Sequence, residues 1–252
     1  MISSRRLSVS LLLASILLFC AMNLADGQEA APDDRIAAVN DQLVKLTNSF
    51  RKETKLDRLA VDEQLQTAAA DFAKFMATES KYGHTADGRR PAERAEAAGY
   101  DYCVVRENIA YSTDPAKPAA EELAQQFFTG WKESEEHREN MLAPHIQHIG
   151  VAVATKDGTT FYAVQMFGRP ESAKFEIEIK NELESVQEIV LRSEGTSDAI
   201  EIQPRTVLKL VRCLPTTLAL GSAKVRRGQP VSEAAAFLIL SGPDGEPQLK
   251  KR

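Results

Sequence analysis

WKESEEHRENML, residues 131–142, is the most informative stretch of this chain, and GHT at 83–85 and ENIAY at 107–111 precede it. Together they place two imidazoles and a carboxylate in polar or aromatic neighbourhoods that packing alone does not require. All four histidines of the chain lie between positions 84 and 148: His84, His137, His145 and His148. Any histidine-dependent chemistry or binding therefore belongs to this part of the chain.

Five motifs follow one another between Ile36 and Gly168: GHT, ENIAY, W..S..HRENML, HIGVAVA at 148–154 and FYAVQMFG at 161–168. In this order and spacing they resemble the bacterial branch of the CAP superfamily, which also contains cysteine-rich secretory proteins, antigen 5 and pathogenesis-related proteins. The resemblance implies an α-β-α sandwich over residues 35–169. It also implies a central cleft that carries two histidines and two acidic residues.

The N-terminus has the order of a secretory signal. Arg5 and Arg6 precede an apolar run from Leu7 to Cys20, and small residues follow at the cleavage positions. This run is too short to span a bilayer comfortably. We therefore predict a signal peptide over residues 1–27, a leader over 28–34, and a secreted or periplasmic protein without a stable membrane anchor.

Charge and cysteine content narrow the partners and the compartment. The formal net charge is −5, which argues against nucleic acid as a partner. Removal of the signal peptide leaves Cys103 and Cys213 in a compartment where disulfides persist. They either join the two halves of the chain or are separate buried thiols, and the spacing does not decide between these alternatives.

Apolar periodicity predicts three long helices, at about 36–50, 62–76 and 118–132, and a short one at 91–98. Trp131 falls on the apolar face of the third helix, which indicates a core position. Two apolar segments, 149–154 and 161–167, flank Lys156-Asp157-Gly158 and predict a hairpin between them. The helices and the antiparallel strands together predict an α+β fold.

The character of the chain changes after Pro170. Phe175, Ile177 and Ile179 alternate with charged residues, and further strand-like stretches recur between turn residues up to about 240. We predict a small all-β domain over residues 173–252, to which the family resemblance does not extend.

Three residues of the motifs match the family cleft. His84 matches the first family histidine, Glu107 the ENIA glutamate, and His137 the bacterial HR.N histidine. If the three converge, they can hold a divalent cation such as zinc, with His84 and His137 as ligands, or polarise a water molecule. The alternative is a hydrogen-bonded polar network that ties loops to the sheet.

Four further residues are candidates for the cleft. Ser134 stands three residues after Trp131, where eukaryotic members tend to have Glu, and Glu133 points about 100° away from it on a helix. Asn108 and Tyr111 lie beside the motif residues. The alternatives are a turn cap for Asn108 and packing for Tyr111.

The motifs of several enzyme classes are missing: the His-Glu-x-x-His helix, the Gly-x-Ser-x-Gly elbow, the P-loop and the dinucleotide fingerprint. No residue is therefore assigned a catalytic role. The leading hypothesis is an extracellular binding protein whose cleft takes a lipid, glycan or protein, with or without a cation. One alternative is a metal-dependent hydrolase, and another is an interaction protein whose cleft is vestigial.

Overall fold

The computed structural model describes residues 34–116, 118–221 and 228–252. The first half contains five helices and four strands: α1 (Asp34–Glu53), β1 (Ala60–Val61), α2 (Glu63–Glu79), α3 (Pro91–Ala97), β2 (Tyr102–Thr113), α4 (Ala120–Glu133), α5 (Glu135–Leu142), β3 (His148–Thr155) and β4 (Thr160–Pro170). A 3-10 turn at Glu171–Ala173 leads to eight strands: β5 (Phe175–Asn181), β6 (Gln187–Ser193), β7 (Thr196–Ile202), β8 (Val207–Arg212), β9 (Thr216–Leu220), β10 (Gln229–Val231), β11 (Ala235–Ser241) and β12 (Pro247–Lys251). The predicted signal peptide and residues 28–33 of the predicted leader lie outside the described ranges. Among the described helices, none combines the length and the apolar character needed to cross a membrane.

The first sheet lies between two layers of helices. Its strand order is β1-β3-β4-β2, with β1 parallel to β3 and the other pairs antiparallel. On β4, Phe161 and Phe167 face α1, α4 and α5, whereas Tyr162 and Val164 face α2 and α3. The predicted α-β-α sandwich is confirmed.

Helix α2 packs unusually close to the sheet. Asp62 caps its start, because the carboxylate accepts hydrogen bonds from the backbone N–H groups of Gln64 and Leu65, both at 3.0 Å. Gly150 on β3 faces the first turn, and a Cβ at that position would lie 2.2 Å from the carbonyl carbon of Leu65. Glycine is therefore required here by the approach of the helix backbone.

The second half packs two four-stranded sheets around a core of its own. Their orders are β10-β9-β6-β7 and β12-β11-β5-β8, and β5 and β11 are the parallel pair. Ile177 and Ile179 of β5, Ile189 of β6 and Phe237 of β11 are buried in this core. The β-rich character predicted for residues 173–252 is confirmed.

Covalent and polar contacts join the two halves. Cys103 at the start of β2 forms a disulfide with Cys213, with the two Cα atoms 5.5 Å apart. Arg169, buried at the end of β4, donates a hydrogen bond to the carbonyl of Cys213. The described residues cluster as one compact unit. Separate folding of the halves on either side of Pro170 stays a prediction.

Candidate functional site

Glu107 is the centre of a buried ionic network on β2. Its side chain is 1% exposed, and its carboxylate oxygens lie 2.7 and 3.0 Å from the guanidinium of Arg94 on α3. Nδ1 of His84 lies 2.7 Å from one of the same oxygens. The carboxylate is thus compensated by one cation and held by a second donor, as a buried charge requires.

Arg94 donates hydrogen bonds to three groups of the loop before α3. It donates to Asp87 at 2.8 Å and to the carbonyls of His84 and Arg89 at 2.8 and 2.7 Å. Its guanidinium carbon lies 3.6 Å from the ring centroid of Phe72 on α2, a cation–π contact. The side chain is 4% exposed, so this contact network fixes the loop that carries His84.

The bond to Glu107 sets the tautomer of His84. Because an ionised carboxylate only accepts hydrogen bonds, Nδ1 of His84 carries the proton and donates it. In the neutral imidazole Nε2 is then an acceptor. The side chain of His84 is half exposed, which leaves this nitrogen open to a ligand.

Two asparagines fix α5 against β2. Asn108 donates to the carbonyl of His137 at 3.1 Å, and Asn140 donates to Oδ1 of Asn108 at 2.9 Å and to the carbonyl of Glu107 at 3.1 Å. Asn108 is fully buried and also contacts Gln165 on β4. Asn108 therefore braces the helix from inside the sandwich, and the predicted roles of turn cap and cleft lining do not describe it.

His137 shows the reverse tautomer to His84. Its Nδ1 is buried and has no hydrogen-bond partner among the described residues. Burying an N–H donor without a partner costs more free energy than burying a nitrogen lone pair without one, because the donor loses a strong hydrogen bond to water. We therefore assign the proton of the neutral ring to Nε2, which makes this nitrogen a donor.

Electrostatics keep His137 neutral. Burial lowers its pKa below the ordinary value, repulsion from His84 lowers it further, and Glu136 partly opposes both effects. His84 is bonded to Glu107, and the carbonyl of His137 is bonded to Asn108, the next residue of β2. The two histidines thus approach consecutive residues of β2, and the convergence of their rings in one cleft stays a prediction.

Side chains also close the edge of β2. The carbonyl of Ile109 accepts hydrogen bonds from Nε1 of Trp131 and from the hydroxyl of Tyr82, both at 3.2 Å. A carbonyl has two lone pairs, so both donors are accommodated. Trp131 is 1% exposed, which confirms the predicted core position. The carbonyl of Ile109 is therefore not available to another strand at this point of the edge.

Of the remaining candidates, Tyr111 lies at the surface and is 58% exposed. Glu133 is exposed, and Ser134 joins α4 to α5 without a side-chain cap bond. Neither of these two contacts the network of Glu107 among the described hydrogen bonds and ion pairs. The carboxylate that acts on His137 is Glu136, which sequence reasoning did not select.

Arg94 and Asp87 were also missed. Both occur in the segment between His84 and Glu107, and nothing in the local periodicity distinguishes Arg94 from a solvent-facing residue of a short helix. One usable indication was chemical: a glutamate that becomes buried needs a cation nearby. In this structure that cation is Arg94 of α3.

The donor set does not fit a zinc ion. The described residues contain no group of three or more His, Cys, Asp or Glu side chains arranged to hold a metal. Both oxygens of Glu107 are engaged by Arg94 and His84. A ligating Nε2 on His137 would move its proton to the buried Nδ1, where ligating histidines normally have an acceptor and this one has none.

A sequence profile of the Cysteine-rich secretory protein family, CAP, matches residues 44–167. This part of the chain belongs to the CAP family. The match starts inside α1 and ends on β4, so the CAP domain coincides with the sandwich. It contains His84, Glu107 and His137 and stops before the second half.

The similar proteins reported next each match about half of this chain. The Uncharacterized protein YkwD of Bacillus subtilis is 28% identical over 117 residues, which are 46% of this chain and 42% of that protein. This chain thus spans less than half of the curated relative. An outer surface protein of Borrelia burgdorferi is similar in structure, with 20% sequence identity and a TM-score of 0.47; the match covers 53% of this chain and 93% of that chain. An extracellular SCP-domain protein of Bacillus anthracis is also similar, with 26% identity and a TM-score of 0.45; the match covers 55% of this chain and 44% of that chain.

Proposed function

We propose that this protein is an exported binding protein whose CAP cleft binds an extracellular ligand through His84 and His137. The observation that carries the proposal is the pair of ring nitrogens left unengaged at a rigid edge of β2. Glu107 holds the ring of His84, and Asn108 holds the backbone of His137, and neither contact uses these nitrogens. A site built in advance binds with little ordering cost.

Export is supported by three features. The N-terminal segment has the composition of a secretory signal. A disulfide joins Cys103 and Cys213, and such bonds persist outside the reducing cytoplasm. The family to which the sandwich belongs is described as one of secretory proteins.

Binding is favoured over hydrolysis by the state of Glu107. A general base must accept a proton from a water or substrate within hydrogen-bond reach. Arg94 and His84 occupy both oxygens of this carboxylate, and its side chain is 1% exposed. Glu107 is therefore not free to act as the base itself, and it serves as a positioning residue for His84.

The test is retention of extracellular material by the immobilised full-length mature protein. Lipid, glycan and peptide fractions of a bacterial culture medium are passed over the parent protein, His137→Phe and the matched control His145→Phe. Phenylalanine keeps the ring and removes the cleft donor together with the unpaired Nδ1, so the fold is retained. We expect material bound by the parent and the control and lost from His137→Phe.

Two other outcomes separate the alternatives. Retention that is equal on all three proteins would overturn the cleft hypothesis and favour docking through the second half. Release of fragments from the retained material over time, abolished in His84→Phe, would favour a hydrolase. Calorimetry with zinc completes the test, because the tautomer of His137 predicts no heat that depends on this residue.

A further inference from the structure

Three aromatic rings form a continuous row beside the cleft, here named the tyrosine strip: Tyr82, Tyr111 and Tyr162. The ring centroids of Tyr82 and Tyr111 are 5.0 Å apart and nearly edge to face, and those of Tyr111 and Tyr162 are 6.1 Å apart and nearly parallel. Tyr111 lies on the same face of β2 as Glu107, four residues further along, which places their Cα atoms about 13 Å apart. The strip therefore begins at the cleft and extends away from it.

Two members of the strip lie outside the core, whereas Tyr162 is buried in it. Tyr82 is 49% exposed and Tyr111 is 58% exposed, which makes them two of the most exposed large apolar residues of the described chain. Tyr82 is nevertheless fixed, since its hydroxyl donates to the carbonyl of Ile109. Exposed tyrosines that are held rigid are efficient contact residues, because binding restricts few further rotations.

The two imidazoles select a hydroxyl group. Nε2 of His84 accepts, and Nε2 of His137 donates. A ligand hydroxyl both donates and accepts, so a single hydroxyl can satisfy the pair. A carboxylate has no proton to offer His84, and an ammonium group has no lone pair to offer His137.

The far end of the strip has a polar pocket of balanced charge. Tyr162 borders it together with Ser80, Lys156, Asp157 and Thr160. The lysine and the aspartate carry opposite charges, and at the other end Arg94 is paired with Glu107. The pocket thus presents hydroxyls together with one amine and one carboxylate of opposite charge.

We propose that the ligand of the cleft is a neutral oligosaccharide, which lies along the edge of β2 with one hydroxyl between His84 and His137 and with sugar rings against the tyrosine strip. Sugar rings combine apolar C–H faces, which pack on aromatic rings, with hydroxyls at their edges. Both features have a counterpart on this surface. The inference rests on the proposed binding function and names the ligand class.

A lipid chain fits this surface less well. Small-molecule pockets bury most of the ligand, and a long alkyl chain needs an enclosed apolar lining. The strip is an open edge, and its two exposed members carry phenol hydroxyls. A polyanionic polysaccharide is disfavoured because the chain as a whole carries a net charge of −5.

The probe set consists of an array of neutral oligosaccharides, which includes β-linked tetramers of glucose and of N-acetylglucosamine, with heparin and phosphatidylcholine vesicles for comparison. The disulfide-bonded mature protein is tested as parent, Tyr111→Ala, His137→Phe and two controls, His145→Phe and Val211→Ala, the latter 66% exposed on β8. We expect a neutral oligosaccharide to bind the parent and both controls. Tyr111→Ala should weaken the Kd about tenfold, or ~1.4 kcal/mol, and His137→Phe about fivefold.

Three outcomes would overturn the inference: no neutral oligosaccharide retained, binding unchanged in Tyr111→Ala, or a clear preference for heparin or vesicles. The proposed function fails separately. If lipid or peptide material from culture medium binds in a manner that depends on His137, the cleft binds a ligand and the sugar assignment is wrong. If nothing binds in such a manner, both proposals fall.

Discussion

Replacement of Arg94 by methionine tests whether the ionic network around Glu107 stabilises the domain. Methionine retains the packing on Phe72 and removes the guanidinium. Glu107, at 1% exposure, then keeps His84 as its single donor, and Asp87, at 7%, loses its 2.8 Å partner. Removal of one partner of a buried ion pair costs about 3–5 kcal/mol, because the other charge is left uncompensated.

That cost is a large part of the total stability. Domains of this size are stable by about 5–15 kcal/mol, so the variant should fold at room temperature but melt roughly 10 °C lower than the parent. Urea denaturation of the oxidised protein, followed by far-ultraviolet circular dichroism, gives the free energy of unfolding. Arg90→Met is the matched control, since Arg90 is four residues away, exposed, and paired with Glu93 at the surface. It should lose less than about 1 kcal/mol.

A double-mutant cycle isolates the pair itself. Glu107→Gln removes the charge that Arg94 compensates, so Arg94→Met should cost much less in that background. The coupling energy should reach about 2 kcal/mol or more. A loss below about 1 kcal/mol in Arg94→Met alone, or a coupling energy near zero, would refute the reasoning and leave Glu107 solvated through an opening of the loop.

Three further results are expected. Gly150→Ala should destabilise the domain by about 1–3 kcal/mol or more in urea denaturation, because the new Cβ meets the α2 backbone, whereas Gly130→Ala, in open space on α4, should stabilise it by about 0.5–1 kcal/mol. Serine at both Cys103 and Cys213 should cost about 2–5 kcal/mol in the same assay, since the bridge closes a separation of 110 residues. Burial lowers the pKa of His137 in the folded protein, so the unfolded chain binds the proton more readily and stability should fall below about pH 6.5. Urea midpoints measured at about pH 7.5 and about pH 5 should therefore fall less in His137→Phe than in the parent protein.

Periodicity predicted the elements that face a single core. The helices α1, α2 and α4 each bury one stripe at helical spacing, and the hairpin β3–β4 turns at Gly158, where φ is +72°. These elements lie within a few residues of their predicted bounds. Local sequence is enough to predict a helix or a strand when its buried residues recur with the periodicity of that element.

The strand that carries the site was not assigned from the sequence. Along β2, Glu107, Asn108 and Ile109 are buried in succession, because helices cover both faces of the strand. The alternation that identifies a half-exposed strand is therefore absent. The buried polar side chains of β2 have distant partners: Glu107 binds Arg94, 13 residues away, and Asn108 binds Gln165, 57 residues away. Sequence patterning within a window does not contain these pairings.

Glu107 has two roles that a substitution cannot separate. Its carboxylate orients His84, and the same oxygens compensate Arg94 inside the sandwich. Loss of binding in a Glu107 variant would therefore be expected from a misplaced imidazole and equally from a disturbed loop. His137 and Tyr111 do not have this double role, because one has an unpaired buried nitrogen and the other is mostly exposed. Substitutions of His137 and Tyr111 are consequently the best test of function in this cleft. A change in ligand affinity without a change in stability at either residue means that its side chain contacts the ligand.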